Sequence, residues 1–147
     1  MFGFGKKKDG VHKEHFSNGN IKEEISYKDG LRHGPFKVWH QNGNLEGKGK
    51  FHNDLQFGIF TVFHENGFKS AEHEYTYNGV QIGKASAWYD NGQMESTCKM
   101  VNGFSQGSYS RWYRSGQKAE EATLKDGLKV GNSSNWDENG NITYIEH

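Results

Sequence analysis

Glycine recurs at three fixed positions of a 24-residue repeat, and this spacing constrains the fold more than any other feature of the chain. One column follows Asn or Ser at Gly19, Gly43, Gly67, Gly92, Gly116 and Gly140, and a second contains Gly34, Gly58, Gly83, Gly107 and Gly131. A third contains Gly30, Gly79, Gly103 and Gly127, with Asp54 in place of one glycine. The spacing between equivalent glycines is 24 residues except for a single spacing of 25 in the third repeat. Fifteen of the 20 glycines lie on this lattice. Such self-similarity predicts stacked copies of one supersecondary unit.

Each copy has the pattern of two β-strands and two turns. In the second repeat an alternating run, 36–40, is interrupted by Asn42-Gly43 and followed by a more polar run, 44–52. Asn-Gly between such runs predicts a two-residue hairpin turn with positive φ at both residues, which we call the first turn. The junction at 28–34, the second turn, is predicted to be longer. The fold class is therefore all-β, an elongated antiparallel meander of about six hairpins and twelve strands in a single twisted sheet.

The spacing also predicts the domain organisation. We expect a flexible segment over 1–10 and a single repeat domain over 11–147, with approximate repeats 11–34, 35–58, 59–83, 84–107, 108–131 and 132–147. The extra residue of the third repeat predicts a β-bulge near 75–77.

Composition limits the classes of partner and the compartment. The formal net charge is zero, which gives no general reason to expect nucleic acid or an anionic membrane as partner. Cys98 is the single cysteine, so no internal disulfide forms and a reducing compartment suits the chain. No apolar run follows Lys6, Lys7 and Lys8, and none elsewhere reaches membrane-spanning length, so we expect a cytoplasmic protein.

Side-chain parity predicts an apolar column on each face of the sheet. Four places before each first-turn glycine stand His15, Trp39, Phe63, Trp88, Trp112 and Trp136, and odd spacing puts Phe36, Phe60, Ala85 and Tyr109 on the other face. Equivalent positions lie two strands apart, about 9.5 Å, so the tryptophans are not expected to stack directly. A further column, Leu31, Leu55, Val80, Phe104 and Leu128, is predicted to cover the second turns.

No residue pattern points to catalysis or to a bound metal. His40 and His64 occupy one column, but this column continues as Tyr89, Tyr113 and Asp137, which favours a half-exposed structural position over metal ligation. Adjacent carboxylates, as at Glu23-Glu24 and Glu120-Glu121, point to opposite faces of a strand and cannot flank one substrate. Repeat-equivalent Glu24, Glu72 and Glu121 are predicted to share a solvated face with Lys48. We therefore predict no catalytic residue, no cofactor and no metal, and a chain that is not an enzyme.

The motif Gly-x-Phe-x-x-Trp-Tyr-x-Asn-Gly-x-Leu resembles MORN repeats, in particular the bacterial variant found in YwqK-family antitoxins. The best example is 83–107, which contains Trp88-Tyr89, Asn91-Gly92 and Met94, and the resemblance extends over about 11–146. It implies an all-β, non-catalytic binding module. The antitoxin members further imply an antitoxin or immunity protein that neutralises a partner toxin.

We predict that the chain binds a protein partner through one face of the sheet and neutralises it sterically. The candidate binding residues are Trp39, Phe63, Trp88, Trp112, Trp136, His40, His64, Tyr89 and Tyr113. Two alternatives stay open: a membrane-associated scaffold that uses Lys6 to Lys8 and exposed aromatic residues, and, with least support, an enzyme. The last run, Asn141 to Glu146, is predicted to be an edge strand at which two copies could pair as a homodimer.

Overall fold

A computed structural model describes residues 7–147, in which all regular secondary structure is β-strand. The strands are β1 (Gly10–His15), β2 (Ile21–Lys28), β3 (Leu31–Trp39), β4 (Leu45–His52), β5 (Leu55–Phe63), β6 (Lys69–Tyr75), β7 (Gln81–Trp88), β8 (Met94–Val101), β9 (Phe104–Trp112), β10 (Lys118–Lys125), β11 (Leu128–Trp136) and β12 (Ile142–Glu146). Each pairs antiparallel with its neighbours in sequence, in the order β1 to β12, as one open sheet. The predicted all-β meander is confirmed.

The first turns are three-residue loops, so the prediction of two-residue turns at Asn-Gly was wrong. In the second repeat the Gly43 N–H donates to the His40 carbonyl at 2.9 Å and the His40 N–H to the Asn44 carbonyl at 2.8 Å. Gly43 has a φ of 91°, whereas Asn42 does not have positive φ. The reason is that the Asn42 side chain accepts a hydrogen bond from the Asn44 N–H at 2.9 Å, which favours a turn with glycine in its last position.

The second turns are the shorter ones, contrary to prediction. Lys28 pairs directly with Leu31, and the two residues between them, Asp29 and Gly30, both have positive φ. The same geometry holds at Asn53-Asp54, where Asp54 replaces the usual glycine with a φ of 68°. Its carboxylate accepts hydrogen bonds from the Arg32 backbone N–H at 2.9 Å and from Arg32 Nε at 3.0 Å, which accounts for an aspartate at this strained position.

The glycine column at 34, 58, 83, 107 and 131 marks register shifts between one hairpin and the next. For example, Cys98 pairs with Tyr109 but Lys99 pairs with Gln106, so Gly107 and Ser108 are extra residues on β9. Gly107 has a φ of 75° at this bulge. Two extra residues preserve side-chain parity, so the alternation of faces continues unchanged across this bulge.

The extra residue of the third repeat is accommodated in the second turn rather than in the predicted bulge near 75–77. The Thr76 N–H donates to the Val80 carbonyl at 2.9 Å and the Gly79 N–H donates to the Thr76 carbonyl at 2.9 Å, which is the hydrogen bonding of a first turn. Residues 77–79 therefore form a three-residue loop. It is one residue longer than the two-residue second turns of the other repeats and so accommodates the extra residue.

Asparagine side chains connect the first turns of successive repeats. Each side-chain amide donates to a backbone carbonyl of the next first turn: Asn18 to Gln41 at 3.2 Å, Asn42 to Glu65 at 3.0 Å, Asn66 to Asp90 at 2.6 Å and Asn91 to Arg114 at 2.9 Å. We call this series the asparagine ladder. It lies along one long edge of the sheet and stops at Ser115, which has no amide.

The predicted flexible segment 1–10 is only partly described. Residues 1–6, including Lys6, lie outside the described residues. Next to them, Lys7 Nζ lies 3.7 Å from Glu14 Oε1, and the Asp9 carboxylate accepts a hydrogen bond from the Asp29 N–H at 2.7 Å. In residues 7–147 no helix is long and apolar enough to cross a membrane.

Candidate binding surface

The pairing register divides the side chains between two faces of different character. One central row runs across the sheet through Ile25, Phe36, Gly49, Phe60, His73, Ala85, Cys98, Tyr109, Ala122 and Ser133, and we call this side the packed face. The opposite row contains Lys37, Lys48, Thr61, Glu72, Ser86, Thr97, Ser110, Glu121 and Ser134, and we call this side the open face. The predicted separation of the tryptophan and Phe36 columns is confirmed.

The packed face carries the apolar core of this one-layer protein. Of the six apolar residues that are buried in the described part of the chain, five belong to this face, namely Phe60, Ala85, Met100, Ala122 and Leu124. At its N-terminal half the rings of Phe36, Phe51 and Phe60 lie with centroids 5.0 to 5.7 Å apart, and the Arg32 guanidinium lies 4.2 Å from the Phe51 ring centre. Aromatic side chains thus supply on one face the burial that a second layer supplies in larger domains.

Exposed apolar side chains concentrate on the open face instead. Fourteen large apolar residues are exposed within residues 7–147, and nine of them lie on the open face: Val11, Leu31, Leu55, Ile59, Val101, Phe104, Leu128, Ile142 and Tyr144. The packed face has two, Val62 and Ile145, and the other three lie in turns. Ile59 is 60% exposed and Leu128 is 72% exposed. Exposed apolar surface of this extent is typical of an interaction site.

The column Leu31, Leu55, Val80, Phe104 and Leu128 was predicted to cover the second turns, and this prediction was largely wrong because every member is exposed. The cover is limited to a side-by-side contact: a Cβ on Gly79 would lie 3.4 Å from the Leu55 side chain, and one on Gly103 would lie 3.8 Å from Val80. Because the sheet has one layer, no second element can close over these residues. They form an apolar margin along the second turns.

The tryptophan column lies on the open face along the first turns. Trp39, Phe63, Trp88, Trp112 and Trp136 are all half-buried, whereas their counterpart His15 is exposed. Lysine ammonium groups lie 5.5 to 5.8 Å from three of the rings: Lys48 over Phe63, Lys69 over Trp88 and Lys118 over Trp112. These lysines shield part of each ring and leave an amphipathic surface. That this column contacts a partner stays a prediction.

The His40, His64, Tyr89 and Tyr113 column has a structural role that the sequence reading missed. His40 Nε2 lies 2.9 Å from the Phe63 carbonyl oxygen and His64 Nε2 lies 2.8 Å from that of Trp88. The hydroxyls of Tyr89 and Tyr113 donate to the carbonyls of Trp112 and Trp136 at 2.9 and 2.8 Å. The signal was available, because histidine and tyrosine share a hydrogen-bond donor at similar reach. Their polar tips therefore join one repeat to the next, and a role in partner binding stays a prediction.

The carboxylates are held by lysines and arginines on both faces. Glu24 and Glu72 lie on the open face with Lys48, as predicted, and hydrogen bonds from Lys13 at 2.9 Å and Lys69 at 2.7 Å hold the pKa of each carboxyl below its usual value. Glu120 lies on the packed face, almost buried, and bonds to Lys129. Its neighbour Glu121 points to the other face and pairs with Lys118, so the two carboxylates do not converge, as predicted.

Within residues 7–147 no group of three or more His, Cys, Asp or Glu side chains is placed to hold a metal ion. On the packed face, burial lowers the pKa of the His73 imidazole, whose Nδ1 lies 2.6 Å from Gln81 Nε2. Cys98 is half-buried beside it, with Sγ 3.8 Å from Met100 Sδ. Burial likewise raises the pKa of the Tyr109 phenol. His73, Cys98 and Met100 line a shallow hollow of mostly small residues, and Tyr109 does not take part in it.

Comparison with known families identifies the repeat in the N-terminal part of the chain. The family model described as a MORN repeat variant matches residues 8–29 and 32–53, which correspond to the hairpins β1–β2 and β3–β4. The two matches cover 22 residues each, so the similarity is established for the first two hairpins and the structure shows the same hairpin recurring beyond them. No curated protein matches the sequence. MORN repeats are generally non-catalytic modules that bind proteins or membranes, and residues 8–53 are similar to them.

Proposed function

We propose that this chain is a protein-binding module whose open face receives the partner. The observation that supports it is the concentration of exposed large apolar residues on that face, nine against two on the packed face. Twelve strands of about eight residues give each face roughly 50 Å by 25 Å. That exceeds the roughly 800 Å² that each partner contributes to an ordinary stable interface.

The finer proposal is an antitoxin or immunity protein that neutralises its partner by covering it. A long sheet face without a deep pocket suits a macromolecule better than a small ligand. Inhibition would then be steric, because an extended face laid over the mouth of a partner's active site excludes its substrate.

Affinity capture from the source cells tests the binding proposal. Ile59→Asp and Phe104→Asp place a charge at exposed sites of the open face, and Val62→Asp, at 38% exposure on the packed face, is the matched control. A stoichiometric protein should be captured by the parent and by Val62→Asp and lost from the open-face variants. Absence of a stoichiometric partner, or loss only with Val62→Asp, would contradict the proposal.

The antitoxin proposal has its own test. The captured partner is expressed alone and together with the chain, and growth is followed. Arrest by the partner alone, with rescue by the parent and not by Phe104→Asp, is the expected result. A partner that leaves growth unaffected would remove the antitoxin role while leaving the binding module intact.

A membrane-associated scaffold is the second candidate, because the open face also carries more lysines than glutamates. The lysines are Lys13, Lys28, Lys37, Lys48, Lys50, Lys69, Lys84, Lys99, Lys118 and Lys125, and the glutamates are Glu24, Glu72, Glu74, Glu121 and Glu146. Each lysine near an anionic bilayer contributes about 1 kcal/mol to the free energy of binding to its surface. Sedimentation with phosphatidylserine-containing vesicles at low salt tests this candidate, and protein left in the supernatant would contradict it.

A further inference from the structure

A shallow recess recurs on the open face at the same place in different repeats. One recess of about 430 Å³ is lined by side chains of β3, β4 and β5, among them Pro35, Lys37, Lys48, Lys50 and Ile59. A second, of about 410 Å³, contains Lys84, Thr97, Lys99 and Ser108 from β7, β8 and β9. A third, of about 340 Å³, lies two strands further on. Each lies beside the register shift at a bulge glycine, which opens the space between neighbouring side chains.

The chemistry of the recess differs from repeat to repeat although its backbone does not. The first recess has three lysines and the second has two. The third is lined by Ser108, Ser110, Glu121, Thr123, Asn132 and Ser134 and contains no lysine. Repeat geometry therefore does not require the lysines, because the same place is built without them.

The lysines stand in an arrangement that opposes folding. Lys37 lies directly opposite Lys48 on adjacent strands, and Lys84 lies directly opposite Lys99. Like charges at directly opposed positions of a sheet are destabilising. The nearby carboxylates bond to other lysines, Glu24 to Lys13 at 2.9 Å and Glu72 to Lys69 at 2.7 Å, although Glu24 also lies directly opposite Lys37.

No ion pair within residues 7–147 involves any of these five lysines. The Lys48 ammonium lies 5.8 Å from the Phe63 ring centre, which supplies only a weak partner. The Glu74 carboxylate lies near the backbone of Gly83, beside the second recess, yet forms no ion pair with Lys84 or Lys99. Lysines outside any ion pair at two of three equivalent places indicate a site that an outside anion completes.

Building on the protein-binding function proposed above, we infer that these two recesses bind carboxylate groups of an acidic protein partner. Their centres are four strands apart, about 19 Å. Between them on β5 lies Ile59, 60% exposed. The partner surface should therefore present two acidic clusters about 19 Å apart, with an apolar side chain between them. A protein fits better than a bilayer, because Glu72 and Glu74 lie between the recesses and would repel a uniformly anionic surface.

The test uses the full chain and a defined probe, a fluorescent peptide with two glutamate pairs whose centres are six residues apart. This spans about 20 Å in an extended chain, with leucine at the middle. Lys48→Gln with Lys99→Gln removes one lysine from each recess. The matched control, Lys28→Gln with Lys125→Gln, removes the same charge from the same face outside the recesses. A second peptide with the four glutamates contiguous controls for total charge.

The spaced peptide should bind the parent at low salt. Its affinity for the recess variant should be at least tenfold lower, and its affinity for the control variant should differ from that for the parent by less than twofold. The recess variant should also melt at the same temperature as the parent or a degree or two higher, because a like-charge contact is relieved. Equal losses in both double variants, or equal binding of the contiguous peptide, would overturn the inference. So would binding to vesicles containing 30% phosphatidylserine in place of the peptide, which would identify a lipid surface. A positive capture result together with failure here would leave the protein-binding function standing.

Discussion

The ring of Phe36 lies 5.0 Å from the ring of Phe60, its counterpart one repeat later, although a full strand separates them. The strand between them contributes Gly49 at that point, so no side chain intervenes. A Cβ on Gly49 would lie 2.7 Å from Phe60 and 2.8 Å from Phe36. Contact between equivalent residues of successive repeats therefore depends on the missing side chain of a third residue.

Gly49→Ala should destabilise the protein by about 1–3 kcal/mol, because both rings must move to admit one methyl group. Urea unfolding followed by tryptophan fluorescence measures the change. Gly47→Ala is the matched control on the same strand and face, where the added Cβ would lie 3.2 Å from a Val38 methyl that can shift. An equal loss in both variants would show that glycine is needed in β4 for another reason.

Ser115→Asn should stabilise the protein by about 0.5–1 kcal/mol, because it supplies the amide with which the asparagine ladder would continue to the Glu138 carbonyl. The side chain is exposed, so the change introduces no crowding. Asn42→Ala, which removes both the bond to Glu65 and the bond within its own turn, should shift stability in the opposite direction. Thermal unfolding by circular dichroism compares the three proteins. An unchanged or lower midpoint for Ser115→Asn would mean that the ladder adds nothing at this position.

Tyr89→Phe should cost about 0.5–1.5 kcal/mol, because the Trp112 carbonyl loses the hydroxyl that donates to it at 2.9 Å. The ring itself is retained, so packing changes little. Tyr77→Phe is the control, since Tyr77 is 59% exposed and its ring stacks on Phe57. Chemical unfolding measures the stability of both variants. Equal stabilities of Tyr89→Phe and Tyr77→Phe would refute a structural role for the Tyr89 hydroxyl.

Asp54→Asn should weaken the dependence of stability on acid pH. Hydrogen bonds from the Arg32 backbone and side chain lower the pKa of the Asp54 carboxyl in the folded state. A lowered folded pKa contributes stability above the unfolded value, about 3.9, and this contribution disappears as pH falls through the folded pKa. The parent should therefore exceed Asp54→Asn in urea midpoint at pH 7, and the gap should close as the pH falls through the lowered pKa of the folded state. Arg32→Gln should flatten the profile only in part, because the backbone N–H of residue 32, the largest cause of the lowered pKa, is retained. A gap that persists at low pH would assign the effect to turn geometry.

The two side-chain columns, represented by Trp39 and Phe36, show how far the sequence could predict the candidate surface. Trp39 and Phe36 are three positions apart on one strand, so parity alone put them on opposite faces, and the structure agrees. Parity does not say which face is crowded. That depends on what the neighbouring strands place beside each residue, and glycine at 49 lets the Phe36 and Phe60 rings meet on the packed face. The hydrogen bonds of His40 and Tyr89 also join residues 23 positions apart, so only the recurrence of histidine or tyrosine at one repeat position, and no local pattern, could indicate them.

The sequence by itself determined the number of strands, their antiparallel order and the two side-chain columns, because glycine spacing and alternation are local properties of the chain. It did not determine the turn types, since Asn42 accepts a bond from the Asn44 N–H and so favours a three-residue loop over the two-residue turn that Asn-Gly ordinarily predicts. Nor could it show that Lys37 faces Lys48, or that Lys84 faces Lys99, without the register. Register is a relation between strands fixed by all their hydrogen bonds together, and only the assembled sheet decides it.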